Sequence, residues 1–99
     1  MDLRKTTLHF ILDTYINNIF TKQPNFIFDM RKNSLFYAPS EIDNVLEELG
    51  WEKIDFNSNG WQQDTWYWYM HPDYDFQLTM EYGGFYGDLK LYRKDCEDY

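Results

Sequence analysis

The stretch WQQDTWYWYMHPDYDFQLTMEYGGFYGDLKLY, residues 61–92, decides the fold. Apolar and polar side chains alternate along it, and two turn motifs, PDYD and GG, interrupt the alternation. A period of two that is broken in this way is typical of antiparallel strands joined by short turns. Because the same period begins just after Gly50, the sequence predicts a meander of four antiparallel strands, over 51–56, 62–71, 76–82 and 85–93.

The residues before the meander begin with a predicted helix. Apolar side chains recur at helical spacing between Leu8 and Phe20, which predicts a helix over 3–20. A short strand at the edge of the sheet is expected at 25–30, where apolar and polar residues alternate. Residues 35–37 either continue this strand or form a second short one.

A second helix is predicted over 41–49. Ser40 is expected to cap it by accepting a hydrogen bond from the backbone N–H of Asp43, and Gly50 is expected to be the left-handed residue that ends it. The predicted buried stripe of this helix consists of Ile42, Val45, Leu46 and Leu49.

Length and composition favour one domain over residues 1–99, with aromatic residues making up 21% of the chain and much of its core. The predicted class is α+β: two helices packed on one face of a mainly antiparallel sheet of four to five strands, ending in the β-meander. The lone Cys96 excludes an intrachain disulfide, and no segment has the pattern of a signal peptide or a membrane span. We therefore expect a cytoplasmic protein with no membrane association.

The faces of the sheet are predicted from the alternation. The two indoles Trp66 and Trp68 are expected to lie under the helices with Met70 and the aliphatic residues Leu78, Met80, Leu89 and Leu91. The opposite face is expected to be open to solvent and rich in tyrosine. Its predicted members are Tyr67, Tyr69, His71, Thr79, Glu81, Tyr86, Lys90 and Tyr92.

Charge is distributed unevenly along the chain, whose formal net charge is −8. Residues 1–33 carry five Lys or Arg and three Asp or Glu, whereas residues 34–99 carry four and fourteen. A field of this sign repels phosphates and attracts basic surfaces, so we expect a basic protein partner and no direct binding of nucleic acid. The simpler interpretation is that the carboxylates only keep an aromatic-rich domain soluble.

No catalytic, metal or cofactor motif accompanies the aromatic residues. His9, His71 and Cys96 stand at no spacing known for metal ligands, and the glycines near residue 84 are explained by a hairpin turn rather than by a phosphate loop. His71 is expected to form a local hydrogen bond at a turn, and His9 to be solvated. The sequence therefore favours a protein that is not an enzyme and needs no cofactor.

Small size, few aliphatic residues, many Asn, Lys, Tyr and Phe, one cysteine and the acidic bias resemble the compact inhibitors that bacteria and their phages make against nucleases and other nucleic-acid enzymes. The resemblance is to a class only. It implies an inhibitor or adaptor, of the anti-CRISPR, anti-defence or nuclease-immunity type, whose carboxylates stand in for phosphates while aromatic residues anchor the contact. The target would be a basic nucleic-acid-processing protein.

The predicted partner-binding residues combine phenol rings with carboxylates. They are Tyr67, Tyr69, Tyr74, Tyr86 and Tyr92, with Glu41, Asp43, Glu47, Glu48, Asp73, Asp75, Glu81 and Asp88. The main alternative is a structural or assembly protein that forms a homo-oligomer, such as a homodimer, through its sheet face or edge. Cross-strand tyrosine pairs that only stabilise the sheet are a further alternative.

Overall fold

The aromatic stretch forms the centre of a five-stranded antiparallel sheet with strand order β1-β5-β4-β3-β2. The computed structural model describes residues 2–59, 64–83 and 87–95. The helices are α1 (Leu3–Thr14), a π-helix that follows it directly (Tyr15–Phe20) and α2 (Pro39–Glu48), with a 3-10 turn at Arg31–Asn33. The strands are β1 (Ile27–Asp29), β2 (Glu52–Asn59), β3 (Asp64–Met70), β4 (Phe76–Gly83) and β5 (Asp88–Asp95). This architecture confirms the predicted α+β class.

The first helix begins at a capped end and buries one stripe. The carboxylate of Asp2 accepts hydrogen bonds from the backbone N–H groups of Arg4 and Lys5, which satisfies two donors that the first turn leaves free. The residues predicted to form one helix are continuous, but the last six adopt the wider π geometry. The buried stripe runs through both segments and consists of Leu8, Leu12, Ile16 and Phe20.

The second helix begins differently from the prediction. Ala38 is the N-cap and makes no side-chain cap hydrogen bond, and Pro39 occupies the first turn, so the predicted Ser40 cap is wrong. Proline suits this position because its fixed φ is helical and its missing N–H would have had no partner there. Gly50 ends the helix at φ +96°, as predicted, and a Cβ there would lie 2.5 Å from Nε2 of His71.

Both helices cover one face of the sheet, and the core lies between them. On β4 and β5 the predicted aliphatic residues Leu78, Met80, Leu89 and Leu91 are fully buried on this face. Phe28 of β1 continues the same face, since it lies opposite Leu91 in the register. Residues 35–37 are not in a strand, and β1 is an edge strand, as expected.

The prediction for β3 is wrong, because its two faces are exchanged. Tyr69 is opposite Leu78 and is 0% exposed, whereas Met70 is 45% exposed. Tyr67 lies opposite Met80 on the same covered face and is half-buried. Directly opposed residues in an antiparallel sheet share a face, so the register with β4 sends the two phenols under the helices and the two indoles to the open side.

A hydrogen bond to α2 satisfies the buried hydroxyl of Tyr69. Its hydroxyl donates to Oδ1 of Asp43 at 2.8 Å, and the same carboxylate oxygen lies 3.4 Å from Nζ of Lys53. Burial, followed by this hydrogen bond, raises the pKa of Tyr69 well above its usual range. Tyr69 therefore stays neutral and joins α2 to the sheet.

Candidate functional site

The open face of the sheet holds three aromatic rings around a polar centre. Trp66 and Trp68 come from β3 and Tyr92 from β5, and β4 runs between them with Thr79 and Glu81 on the same side. A groove of about 370 Å³ lies here. Its walls are formed by Asn57, Trp66, Trp68, Thr79, Tyr92 and Lys94.

Glu81 holds two of these rings in place. Its Oε1 accepts a hydrogen bond from Nε1 of Trp66 at 3.0 Å and another from the hydroxyl of Tyr92 at 3.0 Å. Partial burial, helped by this hydrogen bond, raises the pKa of Tyr92 to about 12. The polar atoms of both rings are thus satisfied within the sheet, which leaves their apolar surfaces for contact with another molecule.

Thr79 supplies a polar group that has no partner. It lies directly between Trp68 and Tyr92 in the register of the three central strands, and only 1% of it is exposed. Its Oγ1 forms no hydrogen bond within the described part of the chain. An unpaired buried hydroxyl costs about 1 to 3 kcal/mol of stability, so the groove carries an unused hydrogen-bonding group at its floor.

Lys94 lies over the indole of Trp68, with its Nζ 5.7 Å from the ring centroid. Its ammonium forms no ion pair with any carboxylate among the described residues, unlike Lys90, whose Nζ lies 3.3 Å from Asp88. A cation over an indole is attracted by the electron-rich face of the ring. The groove therefore already accommodates a positive charge.

Carboxylates crowd one end of this face. Asp64 and Asp88 both lie opposite Gly83 in the register, from either side. A Cβ on Gly83 would lie 2.0 Å from Oδ1 of Asp88, so glycine leaves the room that this carboxylate uses, and Oδ1 of Asp64 would lie in ordinary contact at 3.5 Å. Together with Glu81 they give this end of the groove a negative potential.

The predicted carboxylates of α2 lie on the helical layer, away from this face. Glu41 pairs with Arg4 at 3.2 Å and Glu48 with Lys5 at 2.7 Å, which connects α2 to α1. Asp43 accepts the hydrogen bond from Tyr69 described above. Among the four predicted residues of α2, only Glu47 makes no contact of this kind within the described residues, and it is exposed. These carboxylates mainly hold the fold together.

The predicted residues in the β3–β4 turn form a separate cluster. The ring of Tyr74 stacks on Trp51 with centroids 5.2 Å apart, and its hydroxyl donates to Asn17. Nδ1 of His71 accepts a hydrogen bond from the backbone N–H of Asp73 at 3.0 Å, so the local role expected for His71 is confirmed. Tyr74 is half-buried by this packing, and Asp73 and Asp75 are exposed beside it.

The structure therefore brings together only part of the predicted site. Glu81, Asp88 and Tyr92 share the open face, whereas Tyr69 is buried and Tyr67 lies on the covered side. Tyr86 lies outside the described residues. Reasoning from the sequence missed Trp66 and Trp68, and the signal that identifies them is their register with Glu81 and Thr79, which the residue pattern of β3 does not contain.

Comparisons with known proteins identify no relative. The chain matches no protein family, no curated protein and no solved structure. Within the described residues no three or more His, Cys, Asp or Glu side chains are grouped so that they could hold a metal ion. No described helix is long and apolar enough to cross a membrane.

Proposed function

We propose that the protein is a non-enzymatic binding protein that docks a basic protein on the open face of its sheet. The observation that carries this proposal is the pair of rings, Trp66 and Tyr92, that one carboxylate, Glu81, holds in place on a face that none of the described helices covers. Rigid aromatic residues with their polar atoms already satisfied lose little conformational entropy on binding, and they are enriched among the residues that dominate protein interfaces.

Charge supports a protein partner rather than a nucleic acid. The net charge is −8, and the open face adds the three carboxylates of Asp64, Glu81 and Asp88 to its rings, against the two ammonium groups of Lys90 and Lys94. Aromatic platforms for single-stranded nucleic acid lie in positive grooves, and a negative face repels phosphates. A basic surface is attracted instead, with an association rate that falls as salt rises.

The proposed class of partner rests on which proteins have a basic groove on their own surface. Proteins that process nucleic acids present such grooves to phosphates, and an acidic, aromatic surface can occupy them. We therefore propose an inhibitor or adaptor of a nucleic-acid-processing protein in the cytoplasm, of the anti-CRISPR, anti-defence or nuclease-immunity type. The proposed contact residues are now Trp66, Trp68, Glu81, Asp88 and Tyr92.

Affinity capture with matched variants tests the proposal. The full chain is immobilised and exposed to a bacterial lysate at low salt, in parallel with Trp68→Ala and with Phe10→Ala. Phe10 is an exposed aromatic residue of α1, on the helical layer, and so is a control for non-specific apolar contact. We expect a basic protein that wild type and Phe10→Ala retain, that Trp68→Ala loses, and that elutes as salt rises.

A purified partner then separates inhibition from simple binding. If it is a nuclease or another nucleic-acid enzyme, its activity is expected to fall on addition of the wild-type chain. Capture that is equal for both variants, or that is indifferent to ionic strength, would contradict docking on the open face. Far-UV circular dichroism of each variant establishes that it is folded.

The edge of the sheet favours a second candidate, a homo-oligomer. β2 is an edge strand on which Ile54 is 41% and Phe56 is 62% exposed, so two copies could pair there. A register shift between Lys53 and Asp55 and the charges of these two residues oppose such pairing. Light scattering at high micromolar concentration distinguishes the candidates: a dimer that Phe56→Lys dissociates would support assembly, and a monomer would exclude it.

A further inference from the structure

We propose that the groove on the open face binds the guanidinium of an arginine in an extended segment of the partner, and that Lys94 occupies this position in the unbound protein. The inference rests on the proposed function and adds the chemistry of the group that is recognised. It is carried by three independent features of the groove: its own cation, its unpaired acceptors and its charged end.

The first feature is the contact between Lys94 and Trp68. An ammonium 5.7 Å from the indole centroid is an internal example of the interaction that a partner's cation would make. Lys94 is exposed and has no carboxylate partner among the described residues, so its side chain can leave without breaking an ion pair with them. A guanidinium is planar and more weakly hydrated than an ammonium, which makes it the better partner for an aromatic face.

The second feature is a pair of oxygen atoms in or beside the groove that can accept further hydrogen bonds. Among the described residues Oγ1 of Thr79 has no hydrogen-bond partner, and both hydrogen bonds that Glu81 accepts fall on Oε1 rather than on Oε2. A guanidinium carries five N–H donors and no acceptor. An arginine that displaces the stem of Lys94 would give Thr79 and Glu81 the donors that they lack.

The third feature is the sign of the charge beside the groove. Asp64 and Asp88 converge on Gly83 at one end, and Glu81 lies next to Thr79 on the same strand face. Lys90 offsets part of this charge, since its Nζ lies 3.3 Å from Asp88 and the residue is directly opposite Glu81 in the register. The remaining negative charge attracts a cation and disfavours an anionic or neutral group.

Nuclear magnetic resonance on the full ¹⁵N-labelled chain tests the inference. The probe is a blocked glycine-serine peptide with one arginine, and the matched control is the same peptide with citrulline, which keeps the shape but removes the charge. We expect the indole N–H resonances of Trp66 and Trp68 to shift with the arginine peptide, and that of the buried Trp51 to stay in place. The citrulline peptide is expected to cause no shift.

A pair of lysine variants tests the role of Lys94. Lys94→Gln is expected to tighten binding of the arginine peptide by roughly two- to fivefold, because it removes the competing cation. Lys22→Gln changes the net charge equally at an exposed residue outside the groove, and it is expected to have a smaller effect. Equal shifts with the citrulline peptide, shifts confined to Trp51, or equal effects of the two variants would overturn the inference.

The outcomes also separate this inference from the proposed function. If the arginine peptide shifts Trp66 and Trp68 but no basic protein is captured, the groove binds a cation and the docking proposal fails. If a basic protein is captured through Trp68 but the arginine and citrulline peptides act alike, the docking proposal stands and the arginine inference fails.

Discussion

The two faces of the sheet satisfy their aromatic residues in different ways. On the covered face, the hydroxyl of Tyr69 reaches a carboxylate of α2, so the ring and its polar atom both belong to the core. On the open face, Glu81 accepts hydrogen bonds from Trp66 and Tyr92, while the hydroxyl of Thr79 beside them has no hydrogen-bond partner among the described residues. The comparison teaches that the buried ring of Tyr69 finds its hydrogen-bond partner inside the core, whereas the described part of the open face retains a hydroxyl that a ligand can use.

The largest expected effect tests which β3 face is the core. Tyr69→Ala should lower the free energy of unfolding by about 3 to 5 kcal/mol, because it removes a fully buried ring and leaves Asp43 without its donor. Trp68→Ala should cost less than about 2 kcal/mol, since its ring is half-buried on the open side. Urea denaturation of both variants measures the difference, and a larger loss for Trp68→Ala would reverse the two faces.

The next largest effect is a loss of stability at alkaline pH, which comes from the phenol of Tyr92. Tyr92 has a usual pKa of 10.0 and a folded pKa of about 12, so the folded protein holds this proton where the unfolded chain loses it. The stability contribution is therefore complete below pH 10 and is lost as pH rises towards 12. Urea denaturation between these limits should show a steeper fall for wild type than for Tyr92→Phe, and identical slopes would contradict the assigned environment of Tyr92.

A smaller effect on stability is expected at Glu81, the carboxylate that accepts hydrogen bonds from two rings of the open face. Glu81→Gln should lower stability by about 1 to 2 kcal/mol, because two hydrogen bonds to a charged oxygen become weaker. Glu47→Gln is the matched control on α2, where the exposed carboxylate has no such partner and a change within about 0.5 kcal/mol is expected. Thermal unfolding compares the two, and equal losses would show that Glu81 does not hold the rings.

The smallest expected effect has the opposite sign. Thr79→Val keeps the shape of the side chain and removes a buried hydroxyl without a partner, so it should raise the free energy of unfolding by about 1 kcal/mol. The same change should weaken binding of the arginine peptide. Urea denaturation measures the gain in stability, and titration with the arginine peptide measures the loss of affinity. A loss of stability in Thr79→Val would mean that the hydroxyl does have a partner in the folded protein.

The residue pattern was sufficient for the fold class but not for the caps. Helical spacing between Leu8 and Phe20 identified the first helix, although its π-helical end has no signature in that spacing. Gly50 was recognisable because few residues other than glycine tolerate a positive φ. The first residue of α2 was not recognisable, since Ser40 and Pro39 are both typical of a helix start. Only the backbone shows that Pro39 lies inside the helix.

The candidate site was only partly predictable. Glu81 and Tyr92 were assigned to the open face from alternation on β4 and β5, where aliphatic residues mark the buried side, and Asp88 was predicted as a contact residue. The carboxylates of α2 were also chosen as contact residues, but a sequence does not show that Glu41 and Glu48 have basic partners on α1. Such pairs depend on how two helices pack against each other, and the local sequence pattern does not contain this packing.

The sequence by itself determined the elements, because side-chain periods of 3.6 and two are local properties of the chain. It could not determine which side of β3 faces the helices, since that strand carries bulky aromatic residues on both of its faces. Only the tertiary structure decided this, through the pairing of Tyr69 with Leu78 and the carboxylate that Asp43 brings within 2.8 Å of its hydroxyl. A buried phenol needs a partner for its oxygen, and that partner comes from a residue 26 positions away.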